Sequence, residues 1–182
     1  HIKRAGVEIK LNSRLGRDFT VDDLMDRQGY AAVILALGAH KDRRLGTPGD
    51  DKEGVLPATT FLREVALGNR PAMQGKKVAV IGGGDTAIDA ARTARRLGAA
   101  EVHIVYRRLR EDMPALKEEV DAAEAEGIQI HLLAAPTEVL GIGKVEALRC
   151  QRMVLGEFDE GGRRKPVPAA GRMPGRATAP SY

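Results

Sequence analysis

Val78-Ala79-Val80-Ile81-Gly82-Gly83-Gly84-Asp85-Thr86-Ala87 is the stretch that decides the fold. Four apolar residues run into three glycines and then into helix-forming residues, which describes a buried strand turning sharply into a helix. Gly82, Gly84 and Ala87 stand at the spacing of the dinucleotide fingerprint in its alanine-ending form. The chemistry needs those residue types. Gly82 permits the tight turn out of the strand, Gly84 has no side chain to block a pyrophosphate, and Ala87 lets the helix lie close to the sheet. Free amides and the positive end of the helix dipole, about half a charge, then face the phosphates. Gly82, Gly83, Gly84, Asp85, Thr86 and Ala87 are therefore candidate cofactor-binding residues. Asp85 belongs to the stretch although its carboxylate opposes an anion, so its side chain is expected to cap backbone amides or to turn away.

Outward from this turn the sequence alternates. Lys77 to Ile81 reads as a strand, Asp85 to Leu97 as a helix, Glu101 to Tyr106 as a strand, Pro114 to Glu126 as a helix and Ile128 to Leu133 as a strand. That is βαβαβ, one mononucleotide-binding half of a Rossmann-like α/β domain. Beyond Pro136, the runs Thr137 to Ile142, Val145 to Leu155 and Arg163 to Val167, with turn residues between them, predict an antiparallel meander. Upstream, Phe61 to Leu67 reads as a short helix and His40 to Thr59 as a crossing loop. Val7 to Leu11 reads as a strand, Thr20 to Met25 as a capped helical turn, and Tyr30 to Leu37 as a strand buried on both faces and closed by Gly38. The expected organisation is residues 1–60 as a remnant of a neighbouring domain with its crossing segment, 61–168 as the nucleotide-binding domain, and 169–182 as an irregular tail.

The end of the second strand governs cofactor choice. An acidic residue about 20 positions after the glycines would bind the free 2′-hydroxyl of NAD. Here the place reads Tyr106-Arg107-Arg108. Guanidinium groups grip the 2′-phosphate of NADP and stack on adenine, whereas a carboxylate would repel it. A solvated basic loop is the bland alternative.

Composition narrows the remaining classes. The 182 residues are 43% hydrophobic and 30% charged, in the globular range. The longest apolar run, Ala31 to Ala39, is far shorter than the roughly 20 residues that span a bilayer, so no membrane association is expected. With no Trp, three Phe and three Tyr, stacking platforms for single-stranded nucleic acid are scarce. The basic residues instead form two clusters, Arg107-Arg108-Leu109-Arg110 and Arg163-Arg164-Lys165, which suggest local anion sites. A lone cysteine, Cys150, leaves no Cys-x-x-Cys pair for dithiol chemistry. His103 and His131 show no partner at ligand spacing, so neither a catalytic nor a metal role is expected, and Glu118 to Glu126 is expected to line a wet helix face. The start His1-Ile2-Lys3-Arg4 lacks a secretory signal, which implies a cytoplasmic chain or one cut from a longer protein, the latter preferred.

Three stretches together carry a resemblance. Ile81 through Arg92, then Val105-Tyr106-Arg107-Arg108, then Met113-Pro114-Ala115 with Glu118-Glu119, resemble the NADPH domain of the glutamate synthase small-subunit family and of related flavin-dependent electron-transfer subunits. Leu35 to Ala39 and Pro48-Gly49-Asp50 resemble that family's crossing from flavin domain to NADPH domain, so the similarity extends over most of residues 2–168. In that family NADPH reduces FAD, and electrons pass through iron–sulfur clusters to a larger subunit that makes glutamate. The resemblance implies NADPH as cofactor, FAD in the intact protein, and residues 1–60 as a remnant of the FAD-binding domain. Gly38 is then either a place of flavin approach or a plain strand end. The implied partners are the missing flavin-domain segments and a large glutamate synthase subunit or another iron–sulfur acceptor.

This sequence has no N-terminal flavin Gly-x-Gly-x-x-Gly, no cysteine cluster, and no closing Gly-Asp strand after Gly171. It is therefore expected to be colourless and inactive by itself. Hydride transfer between two rings needs alignment more than an acid or base, so no catalytic residue is assigned. A non-catalytic NADP(H)-binding regulatory module is the alternative, and a methyltransferase is weakened by Arg107 where a ribose-binding acid would stand.

Overall fold

The computed structural model describes residues 2–38, 44–158, 160 and 162–170, so the expected irregular tail lies almost wholly outside the described residues. The chain divides into two units, residues 1–39 and 40–182. Residues 44–60, grouped by their sequence with the upstream remnant, belong to the second unit.

The first unit departs from its expected strands. Neither Val7 to Leu11 nor Tyr30 to Leu37 forms one. A strand of a parallel sheet is held by hydrogen-bonded neighbours and by cover on both faces. Among the described residues of this unit no strand pairs with either run, and Ile34 is 90% exposed. The expected capped turn does form. The Thr20 amide and hydroxyl donate to the Asp23 carboxylate at 2.9 and 2.8 Å, and the Asp23 amide donates back to the Thr20 hydroxyl at 3.1 Å. This reciprocal box opens a short π-helical turn over Asp23–Arg27.

The second unit has the expected α/β order. Helix α1 (Ala58–Ala66) precedes strand β1 (Lys77–Ile81), helix α2 (Asp85–Arg96), strand β2 (Glu101–Val105), helix α3 (Lys117–Ala125) and strand β3 (Gln129–His131). β1, β2 and β3 form a parallel sheet in that order, with Ile81 beside Val105 and Val105 beside His131. The register aligns the strand ends, so the turns after β1 and β2 emerge side by side. The meander follows as β4 (Ala134–Leu140), β5 (Ala147–Phe158) and β6 (Arg164–Pro168), an antiparallel sheet.

One face of the parallel sheet carries the core. Val102 and Ile104 are essentially buried, and they pack with Ile88, Ala91 and Ala94 of α2, Val120 and Ala123 of α3, and Phe61 of α1. Burying a side chain such as Ile88 or Ile104 contributes about 1.5–3 kcal/mol. Alanines on α2 let it lie close to the strands, while Arg92, Arg95 and Arg96 occupy its other side. The helix stops at Gly98, whose φ of +95° suits glycine. There the Gly98 amide donates to the Arg95 carbonyl and the Ala99 amide to the Ala94 carbonyl, at 3.0 and 3.2 Å.

The acidic face of α3 is less wet than its sequence suggests. Arg92 holds Glu126 through Nε and Nη2 at 3.0 and 2.8 Å and also meets Glu119, which fastens α2 to α3. The Arg92 hydrogen bond, ahead of that from Arg96, holds the Glu126 carboxyl below its ordinary range. Arg110 binds Asp121 and Glu124 at 2.6 and 2.7 Å. Within the crossing loop, the Pro48 carbonyl accepts the Val139 amide at 2.9 Å, and the Asp50 carboxylate accepts the Gly46 amide and Arg44 at 2.8 and 2.9 Å. Among the described residues no helix is long and apolar enough to cross a membrane.

Candidate nucleotide-binding site

The three glycines of the turn do three different things. Gly82 has φ +136°, where a side chain is strained, and a Cβ there would meet Ala87 Cβ at 3.3 Å. Gly83 is buried over the Tyr106 ring, so a Cβ would stand 2.7 Å from Tyr106 Cδ2. Gly84 differs. Its φ of −93° is open to any residue, and the nearest group to a Cβ would be Pro114 Cγ at 4.0 Å. The absence of a side chain at Gly84 answers no demand of the fold and leaves space beside the start of α2.

The amides at that start are arranged for an anion. Those of Ala87 and Ile88 both donate to the Gly84 carbonyl, at 2.9 and 3.2 Å, while those of Asp85 and Thr86 have no acceptor among the described residues. The Asp85 carboxylate is engaged elsewhere. Its Oδ1 accepts the Leu116 amide at 3.2 Å, at the head of α3. A free carboxylate at this helix start would have opposed a phosphate.

Residues 112–116 buttress the turn, a role their sequence did not disclose. The Ala115 amide donates to the Gly83 carbonyl at 3.1 Å, and the Tyr106 hydroxyl donates to the Asp112 carbonyl at 2.7 Å. Tyr106 is only 9% exposed, and burial pushes its hydroxyl pKa up. It supports the glycine turn from beneath. The Tyr106 amide also donates to the His131 carbonyl at 2.9 Å, so the same residue ties the end of β2 to β3.

The two arginines that follow part company. Arg107 is exposed, whereas Arg108 is 7% exposed. Both line a cleft of about 470 Å³ whose other wall is Phe158, Glu160, Lys165 and Pro166. Arg110, next in the same basic cluster, is committed to α3. The backbone here is tightly held. Leu133, at φ +52°, donates its amide to the Arg108 carbonyl at 3.2 Å and accepts the Met153 amide at 2.7 Å. A leucine in that region costs about 1–2 kcal/mol, and hydrogen bonds to two neighbouring segments hold it there.

Gly38 ends the described part of the first unit with φ +69°. His103 and His131 do have a partner in each other. His103 Nδ1 lies 3.0 Å from His131 Nε2, and His103 Nε2 lies 3.3 Å from Glu101, which Lys77 binds at 2.7 Å. The pair is 28 residues apart in sequence and meets only because β2 and β3 adjoin. Among the described residues no group of His, Cys, Asp and Glu could hold a metal ion.

A family model described as pyridine nucleotide-disulphide oxidoreductase matches residues 2–164. The chain belongs to that family. It is 47% identical over 173 residues to the beta subunit of NADP(+)-dependent formate dehydrogenase from Moorella thermoacetica, covering 93% of this chain and 24% of that protein. It is 40% identical over 178 residues to the glutamate synthase [NADPH] small chain of Escherichia coli (strain K12), covering 91% of this chain and 37% of that one. The resemblance read from the glycine and arginine stretches is borne out. Among solved structures, Mycobacterium tuberculosis FprA in complex with NADPH aligns with a TM-score of 0.70 at 23% identity, over 88% of this chain and 50% of that one, a likeness of fold. The chain thus spans about a quarter to two fifths of the length of these curated relatives.

Proposed function

We propose that this chain is the NADPH-binding portion of a flavoprotein oxidoreductase resembling the glutamate synthase small subunit. In the intact protein it passes hydride from NADPH to FAD, and electrons go on to a partner subunit. One observation carries the reading. The glycine turn, with an open face at Gly84 and unengaged amides at the head of α2, lies beside the cationic turn of Arg107 and Arg108 at the next strand end. The first suits a pyrophosphate and the second a 2′-phosphate.

These residues fit NADPH, whose dihydronicotinamide supplies a hydride when bound. The chain's own part is placement. Gly84 admits the pyrophosphate, the amides of Asp85 and Thr86 bind it, and Tyr106 keeps the turn in shape. Arg107 and Arg108 select the phosphorylated ribose. The relatives support the choice of cofactor, since one is an NADP(+)-dependent formate dehydrogenase subunit and another a glutamate synthase [NADPH] small chain.

The described residues of the first unit do not fit a flavin. Residues 7–11 and 30–37 form no sheet, and Leu11, Ile34 and Leu37 face solvent, so no framework for an isoalloxazine exists there. A role for Gly38 toward FAD belongs to the intact protein. Calorimetric titration of the purified chain with NADPH and NADH tests the reading. NADPH should bind at least about tenfold more tightly, and the protein should be colourless. Equal affinities would return Tyr106-Arg107-Arg108 to a solvated basic loop.

A further inference from the structure

The second basic cluster, Arg163-Arg164-Lys165, has no role in the site described so far. Its members divide by geometry. Arg164 donates to the carbonyls of Gly156 and Leu155 at 3.1 and 3.3 Å and so closes the β5–β6 hairpin. Lys165 instead lines the cleft that Arg107 and Arg108 line from the other side, together with Phe158, Glu160 and Pro166. Lys165 is exposed and forms no ion pair among the described residues, and the same holds for Arg107. Arg92, Arg96, Arg110 and Arg149, by contrast, are each matched by a carboxylate. Among the described residues Glu160 is the one carboxylate of the lining, and it lies within 4.0 Å of neither Lys165 nor Arg107.

We propose that Lys165 is a specificity-determining residue: a third cation for the 2′-phosphate, delivered by the meander rather than by the parallel sheet. The inference rests on the NADPH reading above. It adds that discrimination is shared between two layers of the domain, with the hairpin forming the outer wall of the adenosine end. An ammonium on a flexible stem reaches a phosphate as a point charge, which complements the planar grip of a guanidinium.

The test is calorimetric titration of the purified chain with NADPH, NADH and adenosine 2′,5′-bisphosphate, at low and at moderate salt. Lys165→Met should weaken NADPH and the bisphosphate about two- to fivefold, as expected of an exposed charge contact. NADH affinity should stay unchanged, and the salt dependence of NADPH binding should become shallower. Lys165→Arg should restore both. Position 165 is exposed, so circular dichroism should show an unaltered fold in each variant. If Lys165→Met binds NADPH like the wild type while Arg107→Ala still loses the preference, the role of Lys165 is overturned and the NADPH reading stands. If the wild type does not distinguish NADPH from NADH, both fall together.

Discussion

The turn after β1 and the turn after β2 leave the same sheet side by side, yet they are built on opposite principles. The glycine turn is a matter of backbone and space. Gly82 needs an unusual φ, Gly83 needs room over Tyr106, and Gly84 alone is optional for folding. The arginine turn is a matter of charge on a held backbone, with Arg107 exposed and Arg108 buried. Under the proposed reading, one turn binds what NADPH and NADH share, and the other reads only their single difference. Tyr106 belongs to both, since its ring underlies Gly83 and its backbone opens the arginine turn.

Gly84→Val breaks the comparison most severely. Its φ of −93° tolerates valine, so melting should move little, while the branched side chain would fill the space that the proposed site gives the pyrophosphate. Both cofactors should weaken by about a hundredfold or more, roughly 2.7 kcal/mol. Gly83→Ala should behave in the opposite way, destabilising the fold because its Cβ meets the Tyr106 ring. Titration beside thermal unfolding of the two variants checks both, and a folded Gly84→Val protein of unchanged NADPH affinity would contradict the site.

Arg107→Ala comes next. NADPH affinity should fall about tenfold, roughly 1.4 kcal/mol and so just under the 1.5–3 kcal/mol of a charge-assisted hydrogen bond because the side chain is exposed, with NADH unaffected. The single exchange is the cleaner experiment, because the 7% exposure of Arg108 means that its removal also disturbs packing. Parallel loss of both cofactors would show that Arg107 acts on something they share.

Tyr106→Phe sharpens the link between the turns. It keeps the ring under Gly83 but removes the 2.7 Å bond to the Asp112 carbonyl. Stability should drop by about 0.5–1.5 kcal/mol, measured by urea unfolding.

How much of this was legible from the residues follows the range of the interactions. The βαβαβ order and the meander were readable because apolar periodicity and helix-ending glycines are local signals, as at Gly98. The glycine and arginine stretches were readable for the same reason. Val7 to Leu11 and Tyr30 to Leu37 carried equally good strand patterns and formed no strand, because a strand is completed by its neighbours. The parts of the site that went unseen are long-range. Asp112 to Leu116 reaches the glycine turn through hydrogen bonds from distant positions, Lys165 joins the arginine cleft from 57 residues beyond Arg108, and His103 finds His131 only across paired strands.

The smallest expected effect concerns that histidine pair, which flanks the arginine turn alone. Burial, and then the charge of His103, hold the His131 pKa below its ordinary value. The groups on the same sheet face are Lys77, Glu101 and His103, and the carboxylate of Glu101 sits on His103 rather than on His131. A histidine depressed in the folded state binds its proton more readily once unfolded. Its contribution is therefore intact above the unfolded pKa of about 6.5 and is lost as pH falls through the lower folded value. Wild-type stability should consequently decline from about pH 6.5 downward, and His131→Gln should remove part of that decline while leaving stability at neutral pH nearly unchanged. Urea unfolding between about pH 7.5 and 5 measures the difference, and identical pH profiles in wild type and variant would mean that His131 carries no part of the decline.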